Sequence, residues 1–511
     1  MTTKTVRTRS GPVQGGEEQG VHAFKGIPYA AAPTGGLRFR PPAPPPTWEG
    51  VRDARSFGLV VAQQSMPGVF GELGTPQSPA GDDCLNLNVW TPDPGSVGLP
   101  VLVWIHGGAF YAGSGIDDVY NGSSFARDGV VVVSLNYRLG IQGFCHLDEH
   151  FAQLTETGNL GILDQIAALE WVQENIAAFG GDPARVTIAG ESAGGMSVTT
   201  LLAMPRAKGL FQRAIPQSGA GHNGISAQSA GMIAGHLLDL VGVKPGDLDA
   251  LADVSSEKLL AAQMTLSDEL TNTRDPVRFG DAAASAMAFQ PTYATELLPQ
   301  RPIEAIAAGA AAGIPLLTGT TKEEALIFLV DLNDMFNDEI VSATMGATFG
   351  AAGKDGAAAL ELYRSNRPNA APHELIAAVE TDRMFTVPAI RLAEAQVRHN
   401  PDVWLYRFDW RTPSRGGEFG AHHFLEVPFV FDQLDNPQAD GFLGGARPRE
   451  LAKAAHAAWV EFVSNGDPNN TLMPQWPRYE SATRPTMLID ETCRVEMRPA
   501  ADEIDLWDGV L

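Results

Sequence analysis

The chain has 511 residues, 44% hydrophobic and 19% charged, and its 54 glycines and 36 prolines punctuate it as a globular protein rather than a fibre or a coil. With 36 Lys and Arg against 60 Asp and Glu, the net charge of −24 disfavours attraction to a phosphate backbone or an anionic membrane, so neither is an expected partner. Three cysteines, Cys84, Cys145 and Cys493, allow at most one disulfide and exclude a disulfide scaffold.

The N-terminal stretch carries basic residues but no apolar run behind them, which is not a secretory signal and makes a cytoplasmic location the expectation. Up to residue 100 the text is rich in Pro and Gly, as in Pro41-Pro42-Ala43-Pro44-Pro45-Pro46, and reads as irregular loops with edge strands and no long helix. From Pro100 the pattern becomes strand, helix, strand, helix. VLVWI at 101–105 and the valine run from Val130 are apolar on both faces, ILDQIAALEWVQENIAAFG is helical, Gly180-Gly181-Asp182-Pro183 ends that helix, and RVTIAG is followed by a helix-compatible SAGGMSVTTLLAM. The expected class is α/β, with a large, mostly parallel sheet flanked by helices.

Residues 223–310 are Ala-rich and mostly helical, which predicts an insertion packed over one face of the sheet. Strands are predicted at 314–320 and 403–410, and the helix Arg449–Val463 and the segment 487–490 close the chain. A length prior of roughly 150 residues per domain would allow about three domains. No repeat or linker divides the chain, however, so a single domain over 1–511 is expected.

Gly190-Glu191-Ser192-Ala193-Gly194 places Gly-x-Ser-x-Gly directly after a strand and before a helix, the setting in which a strained turn exposes a nucleophilic serine. The run Trp104-Ile105-His106-Gly107-Gly108-Ala109-Phe110 ends an earlier strand with residues small enough to turn their amides toward an oxyanion, and the N–H of Ala193 would add a donor. A base must follow Ser192 in this fold. His236, His399 and His456 lie in helical text and are expected at the surface, whereas His422-His423 sits in a loop after the 403–410 strand. Composition does not choose between these two neighbours. Glu323 and Glu324, just past the 314–320 strand, offer an acid with the same ambiguity. The histidines lack metal-ligand spacing, so no metal and no cofactor is expected.

These residues resemble the type-B carboxylesterases, a family of α/β-hydrolases that includes bacterial p-nitrobenzyl esterases. The likeness extends through Phe24-Lys25-Gly26-Ile27-Pro28-Tyr29-Ala30, Leu37-Arg38-Phe39, Asp83-Cys84-Leu85-Asn86-Leu87-Asn88-Val89-Trp90, Asn136-Tyr137-Arg138, Gly158-Asn159-Leu160-Gly161 and Gln217-Ser218-Gly219. The resemblance implies that His423, through Glu426 and Phe429-Val430-Phe431, is the base, that Glu324 is the acid, and that the amides of Gly108, Ala109 and Ala193 form the oxyanion hole. Ala325 stands where a glycine is usual. Secreted relatives pair the cysteine matching Cys84 with one at the place of Val61, so the bridge is absent here and a reducing compartment is implied.

The expected function is therefore a serine carboxylesterase acting on uncharged carboxylic esters, of aryl or short-to-medium acyl type, through a Ser-His-Glu triad and an acyl-enzyme. The helical insertion is expected over the active site, with Phe110, Tyr111, Met196 and Phe328 in the pocket wall. Amide or carbamate hydrolysis on the same triad, and an inactive binding homologue, are the alternatives. A monomer or weak homodimer acting on a small ester is the expected state.

Overall fold

Valine-rich runs form strands because branched side chains pack well on a pleated surface, and where helices cover both faces such strands are buried throughout. Val131–Leu135 is buried at every position in the computed structural model, which describes residues 3–66, 68–72 and 79–511. The chain forms two units: Met1–Met66 with Pro76–Ile215 and Gly221–Ile314, and Pro67–Thr75 with Pro216–Ala220 and Pro315–Leu511.

The first unit opens with β1 (Lys4–Arg7), β2 (Pro12–Glu18) and β3 (Val21–Pro28), paired antiparallel in sequence order. These are the edge strands expected of the Pro-rich region. They are followed by β4 (Asn86–Thr91), β5 (Leu99–Ile105), β6 (Val131–Leu135), β7 (Gly181–Glu191) and β8 (Arg213–Gln217), in the spatial order β1-β2-β3-β4-β6-β5-β7-β8. The centre is parallel: β5 runs alongside β6, Val101 opposite Val131, and alongside β7, Ile105 opposite Gly190.

Helix α1 (Leu160–Asn175) leads into β7. It ends in a tightened turn, Ile176–Phe179, and Gly180 at φ 90° stops it where the sequence predicted. The turn from β7 into α2 (Ala193–Ala203) carries Ser192. Within 223–310, α3 (Ala227–Val241) and α4 (Ser256–Thr273) are each capped by a serine hydroxyl, Ser226 and Ser255, and Ile225–Ser226 pairs with Thr292–Tyr293.

In the second unit the end of β8 is followed by β9 (Leu316–Thr321), β10 (Val403–Phe408), β11 (Pro485–Ile489) and β12 (Arg494–Met497). β9, β10 and β11 are parallel, with Leu316 opposite Val403 and Leu405 opposite Thr486, and β12 closes the edge antiparallel to β11. Helix α5 (Pro372–Thr381) passes through a π-helical turn (Asp382–Thr386) into α6 (Val387–Val397), and α7 (Arg449–Asn465) is the predicted C-terminal helix. His456 on α7 is not a surface group. It is buried with Nδ1 2.6 Å from the Val430 carbonyl, because the amphipathic helix turns that face inward and the ring finds an acceptor there. Among the described residues, no helix is long and apolar enough to cross a membrane.

Candidate active site

Ser192 has φ 55° and ψ −123° between the end of β7 and the first residue of α2. A non-glycine residue holds such a conformation only when its surroundings enforce it, at a cost of about 1–3 kcal/mol. Here the enforcement comes from close backbone packing. A Cβ on Gly190 would stand 2.5 Å from the Ile105 carbonyl oxygen, and one on Gly194 would stand 2.0 Å from the same atom. Only glycine lets β5, the turn and α2 approach so closely, which is why the motif carries Gly at both flanks. Ala193 opens α2, so its N–H has no acceptor within the helix and faces the charge-stabilising end of the helix.

The 106–110 segment is built by the same means. Gly108, Ala109 and Phe110 have φ of 109°, 51° and 62°, and a Cβ on Gly108 would fall 2.1 Å from the Ala112 carbonyl oxygen. A Cβ on Gly107 would lie 3.2 Å from Ser192 Cβ, so this segment passes directly against the serine turn. The amides of Gly108 and Ala109 find no acceptor among the described residues, whereas those of Tyr111 and Ala112 are bound to the Gly108 carbonyl at 3.0 Å. The loop is held from outside. Gln63 bonds both the N–H and the carbonyl of Gly113, the Tyr137 hydroxyl donates to the His106 carbonyl, and the His106 ring stacks on Tyr137 at 4.5 Å. Burial pushes His106 down to about 4, so it stays neutral as a packing group.

In the second unit His423 Nδ1 lies 2.6 Å from Glu324 Oε2, and both side chains are buried. Glu324 Oε1 accepts from the Ser218 hydroxyl at 2.6 Å and from the Thr321 amide at 2.7 Å. Three donors therefore converge on one carboxyl and fix its plane. The neighbours of this pair have other partners. Glu323 pairs with Arg411 and accepts from the Ala421 amide, tying down the histidine loop, while His422 is fully buried with Nδ1 2.5 Å from the His423 carbonyl, and burial pushes it down to about 4.

A second buried carboxyl, Glu426, accepts from Gln217 Nε2 at 3.3 Å, and Gln217 in turn accepts from Trp459 on α7. Burial, aided by the charge of Glu324, pushes Glu426 up to about 7.

The expected pocket residues separate. Phe328 exposes 42% of its surface while its ring lies 5.3 Å from that of His423. Met196 is buried in the first turn of α2, and Tyr111 is half-buried. Phe110 is fully buried with its ring edge-on to Phe144, because its positive φ directs the side chain into the core of the first unit. Residue-type reasoning assigned no role to Ser218, Thr321 or Phe385, whose ring lies 4.9 Å from His423. The Gln217-Ser218-Gly219 motif was the signal that could have found Ser218. The three cysteines are free, and burial pushes the Cys84 thiol up to about 12, so Cys84 packs as a small apolar residue, as expected.

The family model described as the carboxylesterase family matches residues 2–507. The chain is 42% identical over 510 residues to the para-nitrobenzyl esterase of Bacillus subtilis (strain 168), covering 98% of each, and 35% identical over 502 residues to the phenmedipham hydrolase of Pseudarthrobacter oxydans, covering 96% of this chain and 95% of that protein. Among solved structures, a thermophilic para-nitrobenzyl esterase superposes with a TM-score of 0.85 at 39% identity, covering 99% of this chain and all of the other.

Proposed function

The chain belongs to the carboxylesterase family, has its α/β-hydrolase fold and is a carboxylic ester hydrolase; from that premise we propose that Ser192 is its nucleophile and works with His423 and Glu324. The observation that carries the reading is the strained Ser192 at the head of α2, with the unbonded amides of Gly108 and Ala109 in the segment that passes against it. In this mechanism Ser192 Oγ forms a bond to the ester carbonyl carbon as its proton passes to His423 Nε2. Negative charge collects on the carbonyl oxygen, where the amides of Gly108, Ala109 and Ala193 meet it. The C–O bond to the alcohol breaks and the alcohol leaves with the proton from His423. Water then attacks the acyl-enzyme, His423 again takes the proton, and the carboxylic acid departs as Ser192 regains its hydrogen. Glu324 holds the imidazole in one orientation and stabilises its charged form.

The proposed substrates are uncharged esters, of aryl or short-to-medium acyl type. An apolar ring, Phe328, is the reachable surface beside the base, and a para-nitrobenzyl esterase is the 42% relative. Tyr111 and Met196 complete the wall, with Phe110 behind it. The reading requires the whole chain to act as one catalytic domain, with 223–310 as its insertion. A cytoplasmic protein, monomeric or weakly dimeric, fits the free cysteines and the absent bridge at Val61.

A fluorophosphonate probe tests the assignment. Labelling of the wild type that vanishes in Ser192→Ala is the expected result, and an unlabelled wild type or a labelled variant overturns it. Matched aryl esters, anilides and carbamates then rank the leaving groups, with the ester turned over fastest.

A further inference from the structure

We infer that the π-helical turn Asp382–Thr386 is the device that positions the acid–base pair, with Thr381 acting on the Glu324 loop and Phe385 on the His423 ring; the inference rests on the proposed roles of that pair. Thr381 is the last residue of α5 and is buried. Its Oγ1 accepts from the amide of Ala325 at 3.0 Å, the peptide immediately after Glu324. Glu324 is thus held on its carboxyl by Ser218 and Thr321 and on its following peptide by Thr381.

Four residues on, the Phe385 ring stands 4.9 Å from the His423 imidazole at 42°, and Phe328 stands 5.3 Å from it at 47°. Two rings against one imidazole restrict its rotation about the Cα–Cβ bond, adding to the hydrogen bond with Glu324. Thr381 caps the turn and Phe385 lies within it four residues on, so one continuous helical segment reaches both members of the pair.

The turn is itself fixed from its other side. Asp382 is buried and accepts from the Tyr363 hydroxyl at 2.6 Å, which accepts from Trp507 Nε1 at 3.0 Å, and Arg383 pairs with Glu380. A π-helical turn inserts one residue into an α-helix at the expense of its regular hydrogen bonding, and such turns recur where a side chain must be aimed. Simple core packing would be served as well by an uninterrupted helix.

The test uses Thr381→Val, which keeps volume but removes the oxygen, and Phe385→Leu, which removes the ring and keeps an apolar branched side chain, with Thr381→Ser and Phe385→Met as companions. Displacing a catalytic group by an ångström costs as much as a hundredfold, so each of Thr381→Val and Phe385→Leu is expected to lower kcat about tenfold on a para-nitrobenzyl ester with KM within about twofold. Phosphonylation of Ser192 should slow in parallel. Thr381→Ser should restore kcat and Phe385→Met should not. Wild-type kcat in Thr381→Val and Phe385→Leu, losses confined to KM, or Thr381→Ser no better than Thr381→Val would overturn the inference. His423→Ala keeps the underlying assignment separate. If it is inactive while Thr381→Val and Phe385→Leu are normal, only the positioning role falls; if it turns over ester at the wild-type rate, the base assignment falls first.

Discussion

In the first unit the candidate chemistry is carried by main chain. Ser192, Gly108 and Ala109 all sit at positive φ, and glycines occupy the points where a Cβ would collide with the Ile105 and Ala112 carbonyls. In the second unit it is carried by side chains, with Ser218, Glu324 and His423 joined by hydrogen bonds, and Gln217 and Glu426 by another, in a buried polar cluster. A site made of backbone is indifferent to charge but intolerant of added atoms. One made of side chains tolerates changes of size and depends instead on protonation and on each hydrogen bond being made.

The largest test of this contrast removes the proposed nucleophile and base. Ser192→Ala and His423→Ala should each lower kcat/KM by about 10⁴–10⁶, and combining them should cost little more, since members of one catalytic unit are not additive. Steady-state kinetics on a para-nitrobenzyl ester would show this, and near-additive losses would mean the two units do not serve one reaction.

Next in size, Gly194→Ala should abolish folding of the serine turn, read as loss of both soluble yield and phosphonate labelling, because the new Cβ meets Ile105 O at 2.0 Å. Ser218→Ala should leave the protein folded and lower kcat about tenfold, the loss of one hydrogen bond to a buried carboxylate being worth about 1.5–3 kcal/mol. If the two variants behaved alike, the distinction between backbone-built and side-chain-built halves would fail.

The smallest effects are in stability against pH. Burial pushes Asp117 in the first unit and Glu426 in the second each up to about 7. The unfolded chain releases these protons near pH 4, so between about pH 4 and 7 the native state binds the extra protons and loses stability as pH rises. Asp117→Asn and Glu426→Gln should each flatten the fall of melting temperature over that window. Only Glu426→Gln should also alter the pH dependence of kcat, since Glu426 shares its surroundings with Glu324. A change in kcat with Asp117→Asn would break the contrast.

The serine turn was legible because strand, Gly-x-Ser-x-Gly and helix are local patterns, and local sterics decide them. The histidine was not legible from residue type. His422 and His423 share a loop without periodicity, and what separates them is which ring meets a carboxyl 99 residues earlier, a distinction that only the family resemblance supplied in advance. His456 was misjudged for a related reason, since a lone polar residue on a helix face reads as exposed until its carbonyl partner is known. The segment Asp382-Arg383-Met384-Phe385-Thr386 reads as plain helix, because one inserted residue leaves no mark on composition.

The five residues Pro216–Ala220 belong to the second unit yet lie in the chain between two stretches of the first. As the polypeptide is made, Ser192 and its glycine-framed turn emerge early, and Ser218 follows soon after, while Glu324 and His423 come more than a hundred residues later. On the proposed assignment the nascent chain thus carries a nucleophile without a base, and a hydroxyl waiting for its carboxyl partner. Ester hydrolysis on this assignment is switched on last, by the C-terminal third, so a chain that stalls before residue 423 carries no activated serine to misdirect.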